Sequence, residues 1–406
     1  MPRRTATTLQ RTEPQAVGFA PVRLGRIREA LERDVVNGLI PGAVVGIARR
    51  GQIAYLEAIG MRDAARAQPM WADAVFSIAS MTKPMTSTAI MMLHEEGRLL
   101  LGDPVSKHLP QLSGMKVAKS PTSPTLELVP AAREMTVHDL LRHTSGLTYR
   151  DRGAGAAYKA YPGSSVSASV QYSRDEFLAE LAKAPLIHQP GTVWEYGFST
   201  DILGHIVEAV SGHSLGAFLS ARLWQPLGMA DTSFDLSEAS QSRYARAFPN
   251  DPLSGQPQTV HHATGQRTRW ESGGGGAVST VADYLRFTQM LLEGGALGAT
   301  RLLGRKTVEL MRADHLGPEI ENRITTMDAA CNGYGFGLGF AVRKAAGVPA
   351  QLGSAGDFYW SGVFGTYFWI DPAEDLAVVF MAAAPGPMRL RYRQLMRALV
   401  LQAIVD

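Results

Sequence analysis

Apolar residues recur along this chain with two different periods, and the periods fall in different regions. A recurrence near 3.6 residues marks an amphipathic helix, whereas alternation or a short apolar run bounded by turn residues marks a strand. Val22 to Asn37 has helical spacing and stops at Gly38. Ala43 to Ala48 and Ile53 to Leu56 are strand-like and joined by Arg49-Arg50-Gly51-Gln52, which predicts a hairpin. Met85 to Glu96 is a helix closed by Gly97. The middle of the chain is helical: Asp175 to Ala184, Thr200 to Val210, Leu215 to Leu223, Thr280 to Glu293 and Lys306 to Ala313. Strand patterns return at Tyr334 to Val342, Gly365 to Ile370 and Leu376 to Ala382, and Arg389 to Val405 closes as a helix. Thr136-Val137-His138-Asp139 has the form of a capping box for a short helix ending near His143. Stretches 113–133, 153–169 and 236–269 are polar or rich in small residues and read as loops.

Strands at both ends and helices between them predict one sheet domain built from the two termini, with a helical domain inserted. The expected boundaries are 1–84 with 261–406 for the discontinuous α/β domain, on an antiparallel sheet, and 85–260 for the mainly helical one. A length of 406 residues suits this division.

Composition narrows the function classes. Hydrophobic residues make up 45% and charged residues 19%, an ordinary globular balance with ample material for a core. The net charge is +3 and there is no block of Lys or Arg, so neither nucleic acid nor an anionic membrane is an expected partner. One cysteine, Cys331, excludes an internal disulfide framework and a cysteine-based metal cluster. No run of 18 apolar residues occurs. Met1 to Gln15 is polar, and no apolar segment follows Arg3-Arg4, so a cytoplasmic location is expected.

The candidate chemistry centres on Ser80-Met81-Thr82-Lys83, which opens the Met85 to Glu96 helix after an apolar run, Ala74 to Ala79. Residues three apart on a helix share a face, so the tetrad sets a hydroxyl beside an amine. A serine needs an adjacent base to act as a nucleophile. Burial and the positive end of a helix dipole both disfavour a charged ammonium, which is how a lysine becomes that base. Tyr196, in Pro190 to Asp201, stands at a turn before a helix. Its phenol is either a proton shuttle to a leaving group or an amphipathic packing residue bonded to backbone. Trp360-Ser361-Gly362-Val363-Phe364-Gly365 precedes a strand. It either aims a backbone N–H at a reacting carbonyl, completing an oxyanion hole with the Ser80 N–H, or is a glycine-relaxed strand with a packing tryptophan.

Three other features invite chemistry and fit structure better. Gly212-His213-Ser214-Leu215-Gly216 matches G-x-S-x-G, but that elbow needs a preceding strand, and here a helix precedes it. Gly212 is then a helix C-cap and Ser214 the next N-cap. His261-His262 has no carboxylate or third ligand at helical spacing and reads as a polar loop. The methionines at 81, 85, 91 and 92 read as core filler.

In order and spacing, these elements resemble the serine β-lactamase and penicillin-binding-protein superfamily, in particular the class C-like esterases called family VIII carboxylesterases. The resemblance is carried by the tetrad, by Leu140-Leu141-Arg142-His143-Thr144-Ser145-Gly146-Leu147, by the Pro190-Gly191 to Tyr196 run before an Asp-x-Leu-Gly helix, and by Ser272-Gly273-Gly274-Gly275-Gly276 leading into the Ser279-Thr280 capped helix. It spans about residues 20 to 400. It implies a class C β-lactamase-like fold, α/β plus all-helical, with the site at the domain boundary and no metal or organic cofactor. It further implies Ser80 as nucleophile, Lys83 as general base and Tyr196 as their proton-transfer partner. The backbone N–H groups of Ser80 and Val363 would form the oxyanion hole, with Trp360, Phe198, Ser361 and Gly362 contacting substrate; His143 would be structural.

Two departures bear on substrate. Phe198 stands where the family's antibiotic-processing members carry an asparagine, and Trp360 stands where they carry a cation that holds a carboxylate. Neutral, hydrophobic acyl esters are therefore the expected substrates of a serine carboxylesterase, with slow β-lactam turnover retained. The alternatives are a class C-like β-lactamase or D-amino-acid peptidase, an acyltransferase, and a non-enzymatic sensor that stays acylated.

Overall fold

The computed structural model describes residues 9–406; Met1 to Thr8, which include Arg3-Arg4, lie outside the described residues. Nine strands form one sheet: β1 (Gln10–Arg11), β2 (Gly42–Arg49), β3 (Gln52–Asp63), β4 (Gln68–Pro69), β5 (Tyr334–Phe336), β6 (Ala341–Arg343), β7 (Phe358–Gly362), β8 (Thr366–Asp371) and β9 (Leu376–Ala382). Their order is β1-β3-β2-β9-β8-β7-β6-β5, with β4 beside β3. Strands from the two ends of the chain meet where β2 pairs antiparallel with β9, Val45 opposite Phe380. The sheet is antiparallel except at one edge, where β1 runs parallel to β3.

Helices cover both faces of this sheet. Neighbouring residues of a strand point to opposite sides, and β8 shows which helix lies where. Phe368 meets Tyr284 of the helix Val281–Leu292 (ring centroids 5.1 Å apart), while Tyr367 accepts a hydrogen bond from Arg397 of the C-terminal helix Met388–Leu401 (2.7 Å). Every residue of β2 is buried, because both of its faces are covered. A Cβ at Gly46 would fall 2.6 Å from Val281 and Leu285, so the glycine lets the helix approach the sheet.

Four elements differ from the sequence expectation. Strand β3 continues past Leu56 to Asp63, because pairing with β2 persists to Gly60 opposite Gly42 and outweighs the charge of Glu57. Tyr334 to Val342 is two strands, β5 and β6, turned at Gly339, whose φ is 100°. Strand β7, rich in aromatics and ended by glycine, lacks alternation and is defined by its pairing with β8. Stretch 153–169 includes the helix Ala156–Lys159 and the start of the helix Ser165–Gln171, both too short to show a period.

Between β4 and β5 the chain is mostly short helices around three longer ones, α2 (Thr82–Glu95), α4 (Ser199–Ser211) and the helix Val281–Leu292, with α1 being Pro21–Val36 and α3 Val137–Leu141. The capping box at Thr136 is formed, with Asp139 closing it.

A buried ionic clamp ties the C-terminal helix to the sheet. Asp357 accepts from Arg397 Nη1 and Nη2 (2.8 and 3.1 Å) and from Arg343 Nε (2.7 Å), and all three side chains are wholly buried. Removing one member of such a group leaves buried charge uncompensated. Asp357→Ala is expected to lower unfolding free energy by about 3–5 kcal/mol, measured by denaturant titration.

Candidate active site

Ser80 and Lys83 straddle a change of helix type. Ala79–Met81 is a single 3₁₀ turn, and α2 begins at Thr82, earlier than its apolar period suggests. Ala79 is held at φ 44°, in the left-handed region that a non-glycine residue enters at a cost. Bonds from several segments over-determine this turn. Thr82 Oγ1 donates to the Ala79 carbonyl (2.7 Å), Tyr284 Oη to the Met81 carbonyl (2.7 Å), and the Ile78 N–H to Ala277 (3.0 Å). Thr366 Oγ1, on β8, donates to the Ile78 carbonyl (3.1 Å). A Cβ at Gly362 would lie 2.3 Å from that same carbonyl oxygen, so glycine is required where the end of β7 passes the turn.

Lys83 is 1% exposed, and its ammonium group faces only neutral oxygens. It donates to Ser80 Oγ (3.3 Å), Tyr149 Oη (3.3 Å) and the Gly274 carbonyl (2.5 Å). Its Nζ also sits 4.7 Å from the centre of the Tyr196 ring. The Tyr196 hydroxyl accepts from Trp360 Nε1 (3.3 Å). His143 packs 4.8 Å from Tyr196 and touches Trp194 and Phe336. Burial, then the nearby Lys83 charge, drives its pKa well below the ordinary value, so it stays neutral.

Beside Lys83 and His143, neither of which reaches it, lies a cavity of about 320 Å³. Ser80, Tyr149, Tyr196, Trp360, Ser361 and Val363 line it, and Val363 lies in the exposed turn after β7. Of the residues expected to contact substrate, two do not reach the cavity. Phe198 is wholly buried, packed against Tyr149 (4.8 Å) and Phe177 (5.1 Å), and supports the wall from behind. Gly362 serves the close approach to Ile78. The expected loss of cationic character also holds only at position 360. Arg389 and Arg393 of the C-terminal helix and Arg152 line the cavity together with Asp151 and Asp328, and Arg393 pairs with Asp328 (3.2 Å). Sequence reading missed Tyr149, although it lies two residues beyond the Leu140–Leu147 motif, and missed the arginines, whose helix is far away in the chain.

The structural reading of the Gly212 to Gly216 motif matches the geometry. Gly212 ends α4 with φ 77°, and Ser214 caps the next helix by accepting from the Ala217 N–H. His262 differs from the expected polar loop: it is largely buried and bonded to Ser77 Oγ (2.7 Å) and to the Phe234 carbonyl (3.2 Å).

A sheet backed by helices, with a Ser/Lys pair on a helix start beside the junction of β7 and β8, defines a class of β-lactamase-fold serine hydrolases. The chain belongs to the beta-lactamase family, which matches residues 27–402. It is 32% identical over 393 residues to the esterase EstB of Burkholderia gladioli, covering 91% of this chain and 93% of that protein. Among solved structures it is similar to EstCE1, described as a hydrolase with promiscuous acyltransferase activity: TM-score 0.75, 26% identity, 93% of this chain and 98% of that one. Simvastatin synthase (LovD) of Aspergillus terreus shares the fold, with a TM-score of 0.78 at 23% identity over 93% of this chain and 98% of that one.

Gly362→Ala is expected to displace the Ser80 turn. The extra methyl group cannot be accommodated without moving backbone, so a loss of about 1–3 kcal/mol in stability is expected, together with slower modification of Ser80 by a serine-directed phosphonate. Thermal denaturation and inactivation rates check both.

Proposed function

We propose that this protein is a serine carboxylesterase that hydrolyses short- to medium-chain acyl esters through a covalent acyl-enzyme. The observation that carries the reading is the 3.3 Å contact between Ser80 Oγ and the Lys83 amine at the wall of a cavity. In this scheme Lys83 takes the proton as Ser80 Oγ attacks the ester carbonyl. The oxyanion rests on the backbone N–H groups of Ser80 and Val363. Tyr196 protonates the departing alcohol. Its oxygen already accepts from Trp360, which orients the phenol and leaves its own proton for the substrate. Water then attacks the acyl-enzyme and gives a proton to the Tyr196 phenolate, while Lys83 returns to Ser80 Oγ the proton it took, so every group ends as it began.

Trp360 and the aromatic groups behind it favour an acyl chain over a charged antibiotic side chain, and the esterase EstB supports the same substrate class. Transfer of the acyl group to an alcohol uses the same acyl-enzyme; the description of EstCE1 favours it as the second reading.

With p-nitrophenyl butyrate, Ser80→Ala is expected to lose activity by about 10⁴-fold or more. Tyr196→Phe should lower kcat by about 10²- to 10⁴-fold. Ser214→Ala removes only a helix cap and should cost about 1 kcal/mol of stability while activity persists. Activity that disappears in Ser214→Ala and survives in Ser80→Ala would refute the assignment. A kcat/KM higher for a cephalosporin than for the butyrate ester would move the protein to the β-lactamase reading.

A further inference from the structure

The Lys83 amine continues into a buried chain of hydrogen bonds that ester chemistry at Ser80 does not itself require. Beyond Lys83, Tyr149 Oη lies 2.6 Å from Ser165 Oγ, and Ser165 Oγ donates to Asp201 Oδ2 (2.6 Å). Asp201 is wholly buried and also accepts from Ser272 Oγ (2.5 Å) and the Gly274 N–H (3.0 Å). With Asp201 as the accepting carboxylate, the donor order follows. Ser165 has one proton, and it is given to Asp201. Tyr149 must therefore give its proton to Ser165, and its oxygen accepts from Lys83. Every donor points from the lysine towards the carboxylate.

We propose that Tyr149, Ser165 and Asp201 form a proton relay that converts Lys83 from an ammonium into the free amine needed as general base. One proton passes from Lys83 Nζ to Tyr149 Oη, the phenol proton passes to Ser165 Oγ, and the serine proton passes to Asp201 Oδ2. One N–H and two O–H bonds break, three O–H bonds form, and the total charge is unchanged. Each hydrogen bond survives with its direction reversed. A rotation about the Lys83 Cε–Nζ bond then releases the hydrogen bond from Tyr149 and turns the lone pair to Ser80. The inference rests on the Ser80/Lys83 reading above, but not on the identity of the substrate.

Two features favour the transfer. An ammonium and a carboxylate buried apart, without direct contact, each carry a desolvation penalty that the neutral pair avoids. The path also needs no tyrosinate. Burial, then the charges of Asp201 and Tyr196, push the Tyr149 pKa well above its ordinary value, so the phenol only passes a proton on. The other titratable groups facing this chain are His143, kept neutral by burial, Tyr196 against the Lys83 amine, and Asp151 near Tyr149. Gly274 fits the relay: a Cβ there would lie 2.4 Å from Asp201 Oδ2 and 2.6 Å from Ser165 Oγ.

The test reads the rate at which a p-nitrophenyl alkylphosphonate modifies Ser80, one p-nitrophenolate released per site, across roughly pH 5 to 10. Covalent modification needs the serine and its base but no turnover, so an absence of ester hydrolysis would overturn the substrate reading and leave this test intact. The wild-type rate is expected to be flat through neutrality. Tyr149→Phe, Ser165→Ala and Asp201→Asn should each lower it about tenfold or more at pH 7 and make it climb with pH, since the amine must then lose its proton to solvent. Electrostatics alone predicts the opposite for Asp201→Asn: losing a negative charge would ease deprotonation and move the limb to lower pH. An unchanged profile in Tyr149→Phe, or an acid-ward shift in Asp201→Asn, would overturn the relay. If Asp201→Asn does not fold, as judged by its thermal transition, the two hydroxyl variants decide alone.

Discussion

The amine of Lys83, buried and hydrogen-bonded to neutral oxygens alone, is the constraint around which this molecule is arranged. Isolated buried charge is costly, so the surroundings of Lys83 must either stabilise its charge by dense hydrogen bonding or take the proton away. The three groups that bond to it come from the 3₁₀ turn, from Tyr149 and from the glycine run at Gly274, segments far apart in sequence. These segments have to close on one another before the amine acquires these surroundings.

That docking explains several local choices that look arbitrary in isolation. Gly362 and Gly274 are places where a side chain would collide with the Ser80 turn or with Asp201. Ala79 is kept in an unfavourable backbone conformation by the bonds that Thr82, Tyr284 and Thr366 make around it. The Asp357 clamp lies away from Ser80, yet it fixes the helix that brings Arg389 and Arg393 to the cavity. Structural and chemical demands thus meet in the same few residues.

The two tyrosines beside Lys83 both border the cavity and differ in their hydrogen-bond partners. Tyr196 has Trp360 donating to its oxygen, whereas Tyr149 is tied on its far side to Ser165 and, through it, to the buried Asp201. A phenol is chemically the same in both places, and what distinguishes the two is the set of partners that the tertiary structure supplies.

Short-range information determined a good deal by itself. The Ser80/Lys83 spacing predicts a shared helix face, and the pair meets within one turn. The capping box at Thr136, the cap at Ser214 and the strands at both termini are local patterns whose physics acts over a few residues. Tertiary structure decided what depends on long-range closeness. It extended β3 beyond its apolar run, turned Phe198 away from the cavity, brought arginines of the last helix to the site, and set Tyr149, Ser165 and Asp201 in line with Lys83. A hydroxyl or a carboxylate in a sequence has no direction. Its donor order and its desolvation exist only once distant segments have closed over it.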